Sequence, residues 1–464
     1  MHPHIRLNFL NIFFISFLIY LCSFLGLFYL GINKSLFQSE DLIPTSAVPF
    51  TILKEGNLNL NEYYDLFVKH YPNPDTKGDT PYYLQKINNN YYSSFPLLTS
   101  FIVIPLYVIP VMLNTPVTIV SLGLFSRIGG AFIASLSVSF FYLLLLQVRK
   151  SKYFFLKKYV ISPVQVLLLL LIYAFCTNQL SLNSQGLWQH GSSTLFLTAG
   201  LFYLLKKNYG VSGFSFGLAT IARPTNLLSL VFIGLFIFVR KFKKGKILFK
   251  SIPLNYFFCA LVPLLLDSFL NIYLFKNLLN TGYGSQIGDW TGNIVEGFFG
   301  VWVSPSKGVL IYSPVLVFMF YGIFLAFKKY KKISLELFLS IIIILHPLFM
   351  AKWHHWYGGY SWGYRMTSDI IPYMVLMLIP FIRSKYFKTK SIKIIFLLFA
   401  VLSFIFQYMG LVFFDGTWHI LYDKGEKNTS WLWSTKNSQI VFSIKRLLYK
   451  IGISNINPYP KLTE

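Results

Sequence analysis

The sequence has little charge, and little of that charge is acidic: 12% of its 464 residues are charged, with 16 Asp and Glu against 41 Lys and Arg. So low a charge content, with 55% hydrophobic residues, excludes an ordinary soluble domain. Cysteine is almost absent. Cys22, Cys176 and Cys259 lie inside or at the ends of apolar runs, with no CxxC spacing, which argues against a disulfide framework or a zinc site. There is also no internal repeat of the kind that supports alternating access in transporters.

What the chain has instead is long apolar runs. They recur at about 8–31, 120–147, 159–177, 250–273, 308–327, 333–351, 366–382 and 394–414, near or above the ~18–20 residues that cross a bilayer. The first, after "MHPHIRLN", is too long for a removed signal peptide and lacks a small-residue cleavage site, so it reads as the first span. The fold class that follows is an all-α polytopic membrane protein.

The formal charge of +25 is localised. Segments 149–158, 206–207, 240–250, 328–332 and 383–393 hold 22 of the 41 basic residues and no acid, and the remainder is nearly balanced. Short basic loops between spans report cytoplasmic topology, so nucleic acid is not an expected partner.

Placing these loops inside fixes the rest by parity. The first loop, 32–96, is external, with juxtamembrane helices expected in it. Segment 94–114 then stays external, read as an interfacial or re-entrant segment broken by Pro96, Pro105 and Pro110. Segment 211–239 begins and ends inside, so it turns back at "ARPTN" as two half-helices with Arg223 at the tip. The count is about eleven transmembrane helices including the two half-helices. Residues 1–414 form the membrane domain, and 415–464 an external tail with an amphipathic helix in "NSQIVFSIKRLLYKIG". External segments 32–96, 274–307 and 352–365 converge on one face, where function is expected.

Adjacent carboxylates Glu40 and Asp41 follow the first span. One could serve as general base; equally, Asp41 or Ser39 could cap a helix over about Pro44 to Lys54. The stretch "KWHHWYGGYSWGYRMTSD" sets His354, His355, Arg365 and Asp369 between two apolar runs. Interfacial belts account for its aromatics but not for that charge. An arginine fork in a partly dry groove, with Lys307 of "SPSKG" opposite, suits a phosphate or pyrophosphate headgroup. Lys307 alone is a common snorkelling anchor. Adjacent histidines rarely share one metal ion. Other polar candidates are Gln185, Trp188 and His190 in "NSQGLWQHGS", Arg127, and Asp267 within an apolar run, functional by default unless paired with Arg127 or Arg223.

Four segments together resemble bacterial members of the GT-C superfamily of integral membrane glycosyltransferases, of the protein-mannosyltransferase and aminoarabinose-transferase type. They are "SEDLIPTSAVPFTILKEGNLNL", "SLNSQGLWQHGS", the "GLATIARPTNLL" hairpin, and "SPSKGVLIYSP" with "WYGGYSWGYRMTSDIIP". The resemblance implies transfer from a polyprenyl-phosphate-linked sugar donor to a glycan, lipid or protein acceptor. It also implies a plasma (inner) membrane location, with the site on the external, periplasmic face. Asp41, or its neighbour Glu40, takes the position of the catalytic acid. Arg365 and Lys307, with His354, His355, His190 and Arg223, take phosphate-binding positions. Tyr364 replaces a proline of the family's "WGPR"-like turn, and Lys307 an arginine of its "SPSRG"-like turn. No cofactor is implied; a divalent metal is admitted by the chemistry but not indicated. A surface-polysaccharide polymerase or ligase shares the lipid-phosphate substrate. A lipid-linked-sugar flippase or secondary transporter is the reading from another class.

Overall fold

The computed structural model describes residues 8–72, 80–148, 161–240, 253–277, 290–329, 333–425 and 427–459, with isolated positions 242–243, 246–247, 288 and 331. The described residues are mainly helical, with almost no sheet. Five stretches are long and apolar enough to cross a membrane: α1 (Phe9–Tyr29), α4 (Ile119–Val148), Pro163–Ser181, α9 (Leu254–Phe275) and α14 (Lys390–Phe413). Shorter apolar helices join them: α3 (Leu98–Met112), α7 (Tyr209–Ala222), α8 (Leu227–Val239), α10 (Ile294–Val303), α11 (Met319–Lys328) and α12 (Leu335–Ala351). The stretch Pro163–Ser181 opens with α5 (Pro163–Phe175), started by a Ser162–Gln165 capping box with Pro163 in the first turn. Large apolar side chains of α1, α9 and α14, among them Phe14, Leu18, Leu265, Phe269, Leu398 and Val401, point outward. Such faces suit hydrocarbon rather than water, and the chain is a membrane protein.

Contacts between helix ends fix the layout. The helix α6 (Gln189–Leu205) ends beside Gln147, whose Nε2 donates to the Leu205 carbonyl at 3.3 Å. The helix α7 returns along α6, with Ser212 Oγ donating to the Gly200 carbonyl at 2.8 Å. Gly213 of α7 and Gly234 of α8 both lie against Tyr256 of α9, and the Tyr256 hydroxyl donates to the Leu230 carbonyl at 3.0 Å. One residue cannot touch both glycines unless α8 folds back past α7. The 211–239 stretch is therefore a hairpin turning at Arg223 to Asn226, as loop parity required. Segment 149–158 and residues 241, 244, 245 and 248–250 lie outside the described residues.

The helices α7 and α9 run side by side in the same direction, Gly213 opposite Tyr256 and Gly217 opposite Ala260. A Cβ on Gly213 would sit 1.9 Å from the Tyr256 carbonyl oxygen, a backbone atom that cannot swing aside. Small residues four apart let backbones approach this closely in membranes. Gly213→Val is expected to cost at least the ~3 kcal/mol at the upper end of overpacking penalties, read as a lowered melting temperature in detergent.

One sequence expectation needs correction. The segment 94–114 is not broken: α3 is continuous through Pro105 and Pro110. It packs on the first third of α4 and on α2 (Leu42–Glu55), with Phe50, Tyr107 and Phe125 in mutual ring contact. It stays at the end of the bundle away from the basic connections, beside Ser192 and Gly129. The first loop carries helices as expected, Leu42–Glu55 and Tyr64–His70, and a short hairpin besides. Leu84–Ile87 pairs antiparallel with Asn90–Ser93 across Asn88 and Asn89, both at positive φ (49° and 64°), the geometry of a two-residue hairpin turn. The tail does form a helix, α15 (Gln439–Lys450). Its first residue docks on the 361–363 loop, where Gln439 Oε1 accepts from the Tyr312 hydroxyl and the Gly363 N–H.

Candidate active site

At the bundle end opposite the basic connections, the first loop is clamped onto the buried stretch 177–195. Gln38 Nε2 donates to the Ser181 carbonyl at 2.8 Å, Trp188 Nε1 to Gln38 Oε1 at 3.2 Å, and Gln189 Nε2 to Thr45 Oγ1 at 3.3 Å. Arg127 fastens the loop's start by donating to the Ser35 and Leu36 carbonyls and to Gln185 Oε1. Among the described residues it pairs with no acid, and it serves the scaffold. This clamp sets the first turn of α2, and with it Asp41, against the 352–365 loop.

The Asp41 side chain makes no cap bond to α2. Instead Oδ2 accepts from Arg365 Nη2, and Oδ1 from the Tyr82 hydroxyl at 2.9 Å. Burial pushes the Asp41 carboxyl up, but the Arg365 guanidinium and the Tyr82 and Ser39 hydroxyls outweigh it and hold the group below its ordinary value. Glu40, half-buried beside it, raises the neighbouring phenols Tyr71, Tyr83 and Tyr360, which burial has already raised.

Every nitrogen of the Arg365 guanidinium is used. Nη2 meets Asp41, Nη1 donates to the Gly358 carbonyl at 3.2 Å, Nε donates to His190 Nε2 at 3.3 Å, and the plane lies 4.4 Å over the Trp188 ring. Gly358 adopts φ +81°, and a Cβ there would lie 2.8 Å from Arg365 Cβ, so glycine lets this carbonyl reach the guanidinium.

His190 links this pair to a second, deeper one. Its Nε2 also faces Arg223 Nη1 at 3.1 Å, and its Nδ1 faces Asp369 Oδ1 at 3.1 Å. Two arginine donors on Nε2 leave only one consistent tautomer: neutral imidazole with its proton on Nδ1, given to Asp369. Arg223 Nε donates to Asp369 Oδ2 at 2.9 Å, and His346 Nε2 lies 3.6 Å from the same oxygen. Pro224 explains the tip: it disfavours helix at Arg223, which is extended (φ −149°, ψ 116°), so the side chain leaves α7 towards Asp369. The result is a continuous polar chain: Asp41, Arg365, His190, then Arg223 with Asp369, then His346.

The remaining candidates lie apart from this chain. Lys307 is buried and holds the loop rather than facing a ligand. Its Nζ donates to the Gly359 and Ser361 carbonyls at 2.9 and 2.7 Å and meets His419 Nε2 at 3.1 Å. Burial drives its ammonium well below the ordinary value. Lys307→Met should remove the donor that the Gly359 and Ser361 carbonyls share, the latter keeping Gln439 Nε2, and cost about 1–3 kcal/mol, visible as a lowered melting temperature. His355 is pushed by burial, by His354 and by Arg365 down to about 4, so at neutral pH it brings no charge. His354 stacks beside it at 4.1 Å. His354 also lines a cavity of about 360 Å³ with Glu296, Trp356 and Thr429, beside the ion pair rather than at it. Asp267 accepts from Asn271 one turn away and pairs with neither Arg127 nor Arg223. Among the described residues, no three His, Cys, Asp or Glu side chains cluster as metal ligands. The glycine-rich residues 281–287 lie outside the described residues.

Sequence reasoning missed three members of the site. Asp369 was visible in "RMTSD" but not distinguished as the acid that pairs with Arg223. His346 is the one histidine inside the apolar run 333–351, a signal available in "ILHPLF". Tyr82 carried no local signal. No protein-family description, curated protein or solved structure matches this chain.

Proposed function

We propose that the chain is an integral membrane glycosyltransferase of about eleven crossings. It moves a sugar from a polyprenyl-phosphate-linked donor to an acceptor hydroxyl or amine on a glycan, lipid or protein, at the external face of the plasma membrane. The observation that carries this is the meeting of Asp41 and Arg365, 324 residues apart in sequence, at the end of the helical bundle away from the basic connections. A base beside a guanidinium fork is the minimum this chemistry needs.

Polyprenyl phosphate leaves as a stable anion near neutral pH, so no general acid is required. The acceptor oxygen or nitrogen attacks the anomeric carbon, its proton passes to Asp41, and the bond from that carbon to the phosphate oxygen breaks, with its electron pair going to the phosphate. Arg365 offsets the charge that develops there, and the configuration at the anomeric carbon inverts. Arg223 and His190 act from below: they hold Arg365 in plane rather than touch the phosphate. Incubating the purified chain with a panel of polyprenyl-phosphate sugars tests the proposal. Transfer from at least one donor, with release of the lipid phosphate, is expected; transport of the intact lipid-linked sugar without glycosidic cleavage would refute it.

A further inference from the structure

An anion reaching Arg365 meets no uncommitted cation among the candidate groups Arg223, Lys307, His355 and Arg365 itself. Arg223 is bound to Asp369, Lys307 Nζ is surrounded by carbonyls and His419, and His355 is neutral at pH 7. Arg365 stands nearest the surface, with 11% of its side chain exposed, and its charge is already balanced by Asp41 at 8%. Nε, Nη1 and Nη2 each already have a partner, so a phosphate approaching the fork competes with that carboxylate for the charge and for Nη2, and gains the full charge-assisted pairing by taking its place.

The way Arg365 is held makes such a replacement feasible. Nε on His190, Nη1 on the Gly358 carbonyl and the Trp188 face fix the guanidinium from three sides without Asp41. The Asp41 contact alone comes from the separate first-loop layer, at the end of α2, and the Tyr82 hydroxyl gives the carboxylate a second partner to retain when it lets go. The carboxylate is thus the replaceable side of the pair.

We propose that the Asp41 carboxylate occupies, in the ligand-free chain, the anion seat on Arg365 Nη2 that a phosphate monoester or diester takes over, so that binding of the donor frees the base. This rests on the glycosyltransferase reading for its substrate and deepens it. The base is withheld until the leaving group is seated. Freed from the guanidinium and set beside a second anion, Asp41 also gains proton affinity at the moment it must accept a proton.

The pair also taxes binding. If it favours the closed state about ten to one, the apparent affinity for phosphate is lowered about tenfold, and removing the carboxylate's charge restores it. The test uses the full-length chain in neutral-lipid nanodiscs, with farnesyl phosphate and inorganic phosphate as probes. Asp41→Asn is expected to bind farnesyl phosphate about tenfold more tightly than the wild type, and the gain is expected to vanish in Asp41→Asn with Arg365→Gln. A parallel gain for inorganic phosphate assigns the seat to the phosphate group itself; a gain for farnesyl phosphate alone assigns it to a lipid headgroup. Unchanged or weaker binding of both probes by Asp41→Asn overturns the proposal.

Should the variant fail to fold, the wild type still decides. Farnesyl phosphate is expected to speed modification of Asp41 by a water-soluble carbodiimide several-fold, read from the labelled peptide, and an unchanged or slower rate overturns the proposal. Failure of the glycosyltransferase reading would look different: the tighter binding of Asp41→Asn would persist while no donor of the panel is cleaved.

Discussion

Asp41→Asn is expected to reduce sugar transfer by roughly two to four orders of magnitude, the range for loss of a positioned general base. The variant keeps the size of the side chain and an oxygen for the Tyr82 hydroxyl, so insertion into the membrane should survive. What is lost is the ability to take the acceptor's proton. Asp41→Glu, one methylene longer, should recover part of the rate. The check is the initial rate of transfer from a polyprenyl-phosphate sugar by purified protein, with melting temperature as the control for folding. An amide variant that turns over at the wild-type rate would remove Asp41 from the mechanism. The wild-type kcat/KM, which reports the free enzyme, should stay level as pH falls through the ordinary carboxylate range, because in the unliganded chain Arg365 holds Asp41 ionised below it, and should fall only at lower pH.

The largest expected effect on stability lies deeper, at Asp369→Ala. Asp369 is fully buried and is the acceptor for Arg223 Nε and His190 Nδ1. Removing it leaves a buried guanidinium without its counter-ion, a change that costs about 3–5 kcal/mol where one partner of a buried pair is deleted. Asp369→Leu combined with Arg223→Met removes both charges together and should recover most of that loss, since apolar replacements of a buried pair are often neutral or better. Transfer should not recover with it. His190 would lose the acceptor that fixes its proton on Nδ1, and Arg365 would lose the acceptor on Nε2 that keeps its plane. Thermal unfolding in detergent and transfer rate, measured on the same preparations, separate the two effects.

The architecture was largely written in local features of the chain. Apolar run lengths gave the long helices, and acid-free basic loops marked one end of the bundle. Parity between those loops forced the 211–239 hairpin, which Gly213, Gly234 and Tyr256 then display. Parity kept 94–114 away from that end as well, although its prolines do not break it; Pro105 and Pro110 are accommodated within one helix that packs on both α2 and α4.

The site was legible in part, and the reason is distance along the chain. The residues Asp41, His190, Arg223 and Arg365 could each be marked as polar groups in unfavourable surroundings, which is a local property. Which of them meet is a property of tertiary packing, and no spacing encodes it. Lys307 and Arg365 looked like one cradle because both sit near the mouth of a span; the carbonyls of Gly359 and Ser361 claim the lysine instead. Asp267 stood out because it interrupts an apolar run, while Asp369, at the start of a later run, carries the buried charge pair.

The direct test of joint action by Asp41 and Arg365 is a double-mutant cycle on the rate of sugar transfer, with Asp41→Asn, Arg365→Gln and the two combined. If base and guanidinium act as a unit, the second substitution should cost little once the first is made, and the double variant should turn over about as slowly as the worse single one. A double variant whose rate falls by the product of the two single losses would mean that the residues act independently, and would contradict the account.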